Sequence, residues 1–414
     1  MKEKMLNHLR ALDLTDDKGF LCGKILADLG ADVIKVERPG GDPSRQIGGF
    51  WGDVSDPEKS LYWFAYNSNK RGITLNIESA EGRDILKKLV KTADFVIESF
   101  PPGYLDNLGI SYIDLSSINK GIIMASITPF GQEGPYRDYK GPDIVVMGMS
   151  GTLYQTGEYD GPPVHISMPQ ACLHAGADAA VGCMVAYYHR EATGEGQHVD
   201  ISMQQSAAWF QANAVPTWEL NKGILRRAGA FRAGVSKDVG QRQVWPCKDG
   251  YVFFNVIGGR TGAKSLSALV EWMDAEGLAT DYQRHMDWDN FDMFTVTREQ
   301  MQQILQPVGE FFLKHTSQEL LKGAVSRGVS LGPLSSMHDL LNDECLKERH
   351  FWKEIEHPEL GASLTYPREF VRSSEIDCSM RFRAPLIGEH NEEVYHDIGL
   401  SEQDLLKLKK AGII

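Results

Sequence analysis

Short apolar runs alternate with segments of helical spacing through the first half of this chain. Residues 9–15 (LRALDLT) read as a strand, Gly19 to Leu29 as a helix, and Val33–Glu37 as a second, buried strand. Together they make a βαβ unit. The pattern recurs: Ile73–Ile77 reads as a strand, Ala80–Val90 as a helix, Phe95–Glu98 and Gly121–Ile127 as further strands. Such alternation predicts an α/β fold, an open, mostly parallel, Rossmann-like sheet with helices on both faces. A dinucleotide role does not follow, although Glu37 ends the second strand. The first turn, Thr15-Asp16-Asp17-Lys18-Gly19, has no GxGxxG through which a pyrophosphate could reach the backbone.

The next long element runs from about 168 to 190. Ser167 and Gln170 have the spacing of a capping box, and Pro169 is tolerated in a first turn. Ala175, Gly176, Ala179, Ala180 and Cys183 keep one side of this helix small, so another backbone can approach it. Its first turn suits an anionic group, because unpaired N–H groups and the dipole favour negative charge there. A further long helix is expected from Gln204 to about Lys222. Residues 225–245 are basic and glycine-rich and read as a loop to a second unit. Asp249-Gly250 predicts a hairpin between Gln243–Pro246 and Tyr251–Val256. Helices follow near 263–276, 298–314 and 317–326. Leu364–Tyr366 is strand-like, and Ser401–Ala411 is a capped amphipathic helix. The expected organisation is a large α/β domain begun by 1–222, a small α+β domain with linkers over 223–330, and a return segment over 331–414.

Composition narrows the function. The 414 residues are 42% apolar and 24% charged, as in soluble enzymes, and can fill about two to three domains. The net charge of −13, with no long Lys/Arg run, argues against nucleic acid or an anionic membrane as the main partner. The six cysteines show no metal-ligand spacing and the twelve histidines no HExxH, so reduced thiols and no metal are expected. The N-terminal MKEKMLNHLRALDLT has no apolar signal-peptide core, and a cytoplasmic location is expected.

Seven segments in order resemble the class III CoA-transferases, the formyl-CoA and carnitine CoA-transferase group. They are LADLGADVIKVERPGGDPSR at 26–45, NSNKRGITLNIESAEGR at 67–83, FVIESFPPGYLDNLGI at 95–110 and SITPFGQEGPYRDYKGPDIVVMGMSG at 126–151. REATGEGQHVDISM at 190–203, APLIGEHNEEV at 384–394 and GLSEQDLLKLKKAGII at 399–414 complete the set. The resemblance implies an interlinked dimer and transfer of coenzyme A from an acyl-CoA to a free organic acid. In that chemistry an aspartate carboxylate attacks the thioester and holds the acyl group as an anhydride. Backbone N–H groups of a glycine loop would meet the oxyanion. Gly258-Gly259 is either that loop or a plain turn. Arg38, Arg45, Lys70 and Arg71 are either phosphate-binding groups for CoA or a solvated basic edge.

The sequence departs from the family pattern at three places. Where the family has Asp-Leu-x-x-Gly, this chain has Cys172-Leu173-His174-Ala175-Gly176. The nearest acid, Asp178, lies roughly 240° around the helix. Phe-Arg-Pro-Gly has become Phe100-Pro101-Pro102-Gly103, which removes a basic residue expected to help hold CoA. The first loop, Thr15 to Phe20, carries two acids in place of Ala-Gly-Pro. All three fall on the presumed active-site wall. The resemblance therefore implies no catalytic residue in this chain. It implies a subunit that pairs with a homologous CoA-transferase subunit carrying the aspartate, as in benzylsuccinate CoA-transferases. Other readings stay open: an active homodimer using Cys172, an acyl-CoA racemase or isomerase, or a non-catalytic binding or scaffold protein. The first is open because a helix N-terminus lowers a thiol pKa.

Overall fold

The computed structural model describes residues 5–232 and 241–414. The chain divides into two compact units. The larger holds the chain through Thr152, Ile166–Ala212 and Glu344–Ile414; the smaller holds Leu153–His165 and Asn213–Asp343. The exit thus falls at 212/213 rather than 222, and the return begins at 344 rather than 331.

In the larger unit, β1 (Arg10–Leu14), α1 (Phe20–Asp28) and β2 (Asp32–Glu37) form the first βαβ turn. After α2 (Leu61–Asn67) come β3 (Arg71–Thr74), α3 (Ala80–Val90) and β4 (Phe95–Glu98). Then follow α4 (Tyr104–Asn107), α5 (Tyr112–Ile118), β5 (Ile123–Thr128), α6 (Asp143–Met149), α7 (Gln170–Thr193), β6 (His198–Ser202) and α8 (Met203–Trp209). The six strands lie in the order β3-β2-β1-β4-β5-β6, every pair parallel. Central strands are mostly apolar because both faces are covered, with Asp13 and Lys35 among the buried exceptions in β1 and β2. On one face Leu12, Ile34, Ile73, Val96 and Met124 pack with Ile85, Leu86 and Leu89 of α3. On the other, α1 lies against α7. Gly176 makes that approach possible: a Cβ there would sit 2.9 Å from the Leu21 Cβ.

The return segment closes the sheet. The edge strand β3 bonds to it at both ends: the His390 N–H donates to the Gly72 carbonyl (2.9 Å) and the Thr74 N–H to Asn391 Oδ1 (2.8 Å). Covering an edge in this way removes a template for unwanted pairing. Val394, Tyr395, Leu408 and Ile413 join the core under α3. The capped helix expected near the end is Glu402–Lys410, with Ser401 and Asp404 in a reciprocal capping box.

Two helix expectations need correction. The start of α7 has no Ser167–Gln170 box: Gln170 is its first residue, and no side chain of the preceding residue, Pro169, caps it. The stretch 204–222 is two helices, Met203–Trp209 and Ala214–Asn221. Pro216 has no N–H for the carbonyl at 212, and its ring clashes there, so the helix cannot run through.

In the smaller unit, Tyr251–Phe254 is the central strand of a three-stranded antiparallel sheet with Val244–Pro246 and Leu331–Pro333. The expected Asp-Gly hairpin is closed by the Cys247 N–H on the Gly250 carbonyl (2.9 Å). Helices Gly259–Ala275, Arg298–Phe312 and Ser317–Arg327 cover a core of Trp245, Phe254, Trp272, Phe311 and Phe312. Part of the loop expected over 225–245, residues 233–240, lies outside the described residues. No described helix is long and apolar enough to cross a membrane.

Candidate functional site

A cavity of about 1100 Å³ opens at the carboxyl ends of the parallel strands of the larger unit. Leu14 after β1, Val36 and Glu37 at the end of β2, Leu75 after β3, Ser99 and Phe100 after β4 and Pro129 after β5 all line it. Open parallel sheets bind ligands at this end. Cys172, in the first turn of α7, also lines it.

The surroundings of Cys172 hold its thiol protonated. The residue is 3% exposed. Its N–H donates to Asp143 Oδ1 at 3.1 Å, so a carboxylate from α6 takes the place of the missing cap. Burial pushes the thiol well above its ordinary range; the negative charges of Asp143 and Asp17 push the same way, against Lys18. The helix dipole, which would favour a thiolate, is answered here by Asp143 instead.

The acidic first loop is held rigidly. The Asp16 N–H donates to Ser99 Oγ (2.9 Å), whose hydroxyl donates back to Asp16 Oδ1 (2.8 Å). The Asp17 N–H donates to Ser44 Oγ (3.2 Å). Burial, then the Asp16 charge, raises the Asp17 carboxyl above its usual value. Lys18 pairs with Asp16.

The four cations singled out in the sequence do not form one phosphate-binding edge. Arg38 lines the cavity, its Nε donating to the Gly41 carbonyl (3.3 Å). Arg45 is 1% exposed. Its Nε and Nη2 grip both oxygens of Glu37 (2.7 and 2.9 Å), Nη1 reaches Glu58 (2.8 Å), and Nη2 also reaches the Pro385 carbonyl (2.9 Å). The guanidinium lies 3.7 Å over the Trp63 ring. Lys70 is equally buried, donating to Asp13 Oδ2 (2.8 Å), the Phe20 carbonyl (3.0 Å) and Asn67 Oδ1 (2.9 Å). Burial lowers its pKa to about 8, against the pull of Asp13. Arg71 pairs with Asp32 (2.6 Å) and Glu393 (2.7 Å), away from the residues that line the cavity. Arg45 and Lys70 therefore serve the fold, and charge balance inside the sheet is the physical reason.

Gly258 and Gly259 belong to the smaller unit. Gly258 precedes the helix Gly259–Ala275; Gly259 has φ +68°, and its N–H donates to the Phe291 carbonyl (2.8 Å). With that N–H engaged, Gly259 offers no donor to an oxyanion. This geometry is that of a plain turn.

Four charged groups of one segment on the cavity wall were not among the sequence candidates: Arg137, Asp138, Lys140 and Asp143. Their signal was present in YRDYKGPDI, whose cations and acids alternate within seven positions, 137–143. Among the described residues no group of three or more His, Cys, Asp or Glu is arranged to hold a metal ion.

A smaller cavity of about 270 Å³ lies nearby, lined by Glu98, Ser126, Tyr112 and His198 among others. The Phe100 N–H donates to Glu98 Oε2 (2.7 Å), Ser126 hydrogen-bonds the same carboxyl, and Ser126 Oγ shares a 2.8 Å bond with His198 Nε2. Burial raises Glu98 from its ordinary 4.5 to about 7. The folded chain thus holds this proton more tightly than the unfolded chain. Stability therefore falls as pH rises from about 4.5 to about 7. Glu98→Gln abolishes that fall. Urea unfolding at about pH 8 is expected to find it more stable than the wild type, by on the order of 2 kcal/mol. Near pH 4 the two should differ little, and equal stability at both values would show that Glu98 ionises freely.

Comparison with known proteins agrees with this geometry. The chain is 32% identical to succinyl-CoA:(R)-benzylsuccinate CoA-transferase subunit BbsE of Thauera aromatica, over 99% of this chain and 98% of that one. It is 31% identical to succinyl-CoA–D-citramalate CoA-transferase of Chloroflexus aurantiacus, over 96% and 94%. A solved CAIB/BAIF family protein from Brucella suis superposes with a TM-score of 0.80 at 27% identity, covering 96% of this chain and 100% of that one. Residues 6–391 match the model of CoA-transferase family III, and to that family this chain belongs.

Proposed function

We propose that this chain is the nucleophile-lacking subunit of a heteromeric, cytoplasmic CoA-transferase. The complex would move CoA between an acyl-CoA such as succinyl-CoA and an organic acid such as benzylsuccinate, the pair in the name of the Thauera relative. The partner is a homologous subunit that carries the aspartate. There the carboxylate attacks the thioester carbonyl and the carbon–sulfur bond breaks. The CoA thiolate then attacks the aspartyl carbonyl of the anhydride and releases the first acid. The second acid reverses both steps: its carboxylate displaces the thiolate from the aspartyl thioester, and the thiolate then takes the new acyl group and frees the aspartate.

The observation that carries this reading is the state of Cys172. A buried thiol held protonated beside Asp143 is a poor nucleophile. Even as a thiolate it would accept only the acyl group, and it could never carry CoA. The buried, unpaired cysteines suit a reducing compartment.

The test is isotope exchange between a labelled acid and its CoA ester. The purified chain alone is expected to exchange at least on the order of a hundredfold slower than the chain with its aspartate-bearing partner. Cys172→Ser should leave the rate of the complex unchanged. Full exchange by the lone chain overturns the proposal. If Asp143→Asn then stops that exchange, Asp143 is the nucleophile; if Cys172→Ser stops it, the thiol is.

A further inference from the structure

Glu98 is the last residue of β4, 4% exposed, and lies where the two cavities of the larger unit meet. Its side chain lines the small cavity, and the residues after it, Ser99, Phe100 and Pro101, line the large one. The parallel register sets Glu98 opposite Ser126 on β5, and Ser126 opposite Asp200 on β6. His198 stands two residues before Asp200, so its side chain shares that face of the sheet. The result is a hydrogen-bonded chain: the carboxyl of Glu98, the hydroxyl of Ser126 and, 2.8 Å from that hydroxyl, His198 Nε2.

The two ends of this chain face different ways. His198 is exposed, lines the small cavity and stacks on the Tyr112 ring (centroids 5.6 Å apart, planes at 15°). At the other end Glu98 Oε2 accepts the Phe100 N–H (2.7 Å). Phe100 stacks on Tyr104 (4.8 Å, 24°), and both rings wall the large cavity. A serine hydroxyl has one hydrogen, so Ser126 can donate to only one of its two neighbours. With Glu98 ionised, Ser126 donates to the carboxylate and accepts from His198 Nε2–H. With Glu98 protonated, the carboxyl donates to Ser126, which donates to a bare Nε2. Asp16 and Lys18 of the first loop face Glu98; Asp200 and Asp106 face His198; burial, then Glu195, holds the Tyr112 phenol above its ordinary value. Burial lowers His198 below its ordinary 6.5, against both acids, while it raises Glu98 to about 7. A proton arriving at the ring therefore settles on the carboxyl.

We propose that His198 and Ser126 relay protons between the small cavity and Glu98, and that the proton on Glu98 sets how firmly the Phe100 turn is held against the large cavity. His198 Nδ1 takes a proton from water, Nε2 passes its own to Ser126 Oγ, and Ser126 passes its own to Glu98. One proton enters, and the ring stays neutral in its other tautomer. The Phe100 N–H then exchanges a charged acceptor for a neutral one, which is the weaker bond. Glu98 is a positioning residue that acts through Phe100. The relay holds whether or not this subunit reacts with CoA.

Nuclear magnetic resonance of the full-length chain from about pH 8 to about pH 6, either side of the Glu98 midpoint, tests this. Protection of the Phe100 amide against hydrogen exchange, taken relative to the unfolded chain, is expected to fall roughly tenfold towards the lower pH, as a charged hydrogen bond gives way to a neutral one. His198 should switch from a protonated to a bare Nε2 with the same midpoint. Glu98→Gln keeps an acceptor of the same shape and should remove both changes, leaving Phe100 protection near its low-pH value. Ser126→Ala should break the link: Phe100 protection still follows pH, but the His198 tautomer no longer does. Ser126→Thr keeps the hydroxyl and should keep the link. Wild-type Phe100 protection that varies by less than about twofold over this range overturns the proposal. So does a His198 ring that keeps one tautomer while Glu98 titrates, or a tautomer switch that survives Ser126→Ala.

Discussion

Arg45→Ala is expected to destabilise the larger unit by on the order of 3–5 kcal/mol, enough to unfold many domains at body temperature. The substitution takes the guanidinium from both oxygens of Glu37, buried at the end of β2, and leaves the Asp42 N–H on Oε2 (2.8 Å) without a cation beside it to balance the charge. An unpaired buried carboxylate must either keep a charge in a poor dielectric or take up a proton. It also removes the guanidinium from the face of Trp63 and one of the two donors to the Pro385 carbonyl, the other being Trp63 Nε1. Urea unfolding followed by tryptophan fluorescence reads the loss directly. A variant that unfolds like the wild type but binds coenzyme A poorly would return Arg45 to a ligand role. Glu37→Gln combined with Arg45→Met should recover part of the stability, because removing both charges costs less than orphaning one.

Lys70→Met is expected to cost about 3 kcal/mol, at the lower end of the range for a broken buried pair. The loss is smaller because Asp13 keeps a second lysine, Lys35, at 3.6 Å. Asp13 lies at the end of β1, and its carboxylate accepts from the Thr15 N–H (3.0 Å) as well as from Lys70. Loosening it disturbs the loop that carries Asp16 and Asp17. The pH dependence gives the effect a signature. Lys70 titrates near 8 when folded, below its ordinary 10.5, so the unfolded chain holds that proton more tightly. Wild-type stability therefore gains a rising component between about pH 8 and 10.5, and Lys70→Met lacks it. Parallel stability profiles for the two proteins across that range would place Lys70 in a solvated setting.

The parallel sheet was legible because each of its elements is signalled locally. Ala80–Val90 and Phe95–Glu98 fall where apolar spacing puts them, since α3 has a serine cap and β4 an apolar run of three residues before Glu98. Boundaries failed where distant groups decide them. The first turn of α7 is finished by Asp143, 29 positions earlier, and no local capping pattern reveals such a partner. The break near Phe210 was missed although Pro216 marked it. The basic residues failed for a different reason. Sequence gives a lysine or arginine its charge but not its burial, and Arg45, Lys70 and Arg38 look alike until the sheet is assembled. Cys172 was legible as a departure; that its thiol is held neutral follows only from the acids that folding gathers around it.

The way the return segment closes the sheet reverses the order of folding relative to synthesis. The core beneath α3 includes Val394, Tyr395, Leu408 and Ile413, and the Asn76 N–H finds its acceptor on the Ile413 carbonyl at 2.7 Å. The ribosome therefore completes every residue of the smaller unit while the larger one, begun first, still lacks part of its interior. For that interval the nascent polypeptide displays the apolar underside of a parallel sheet, the kind of surface that chaperones shield.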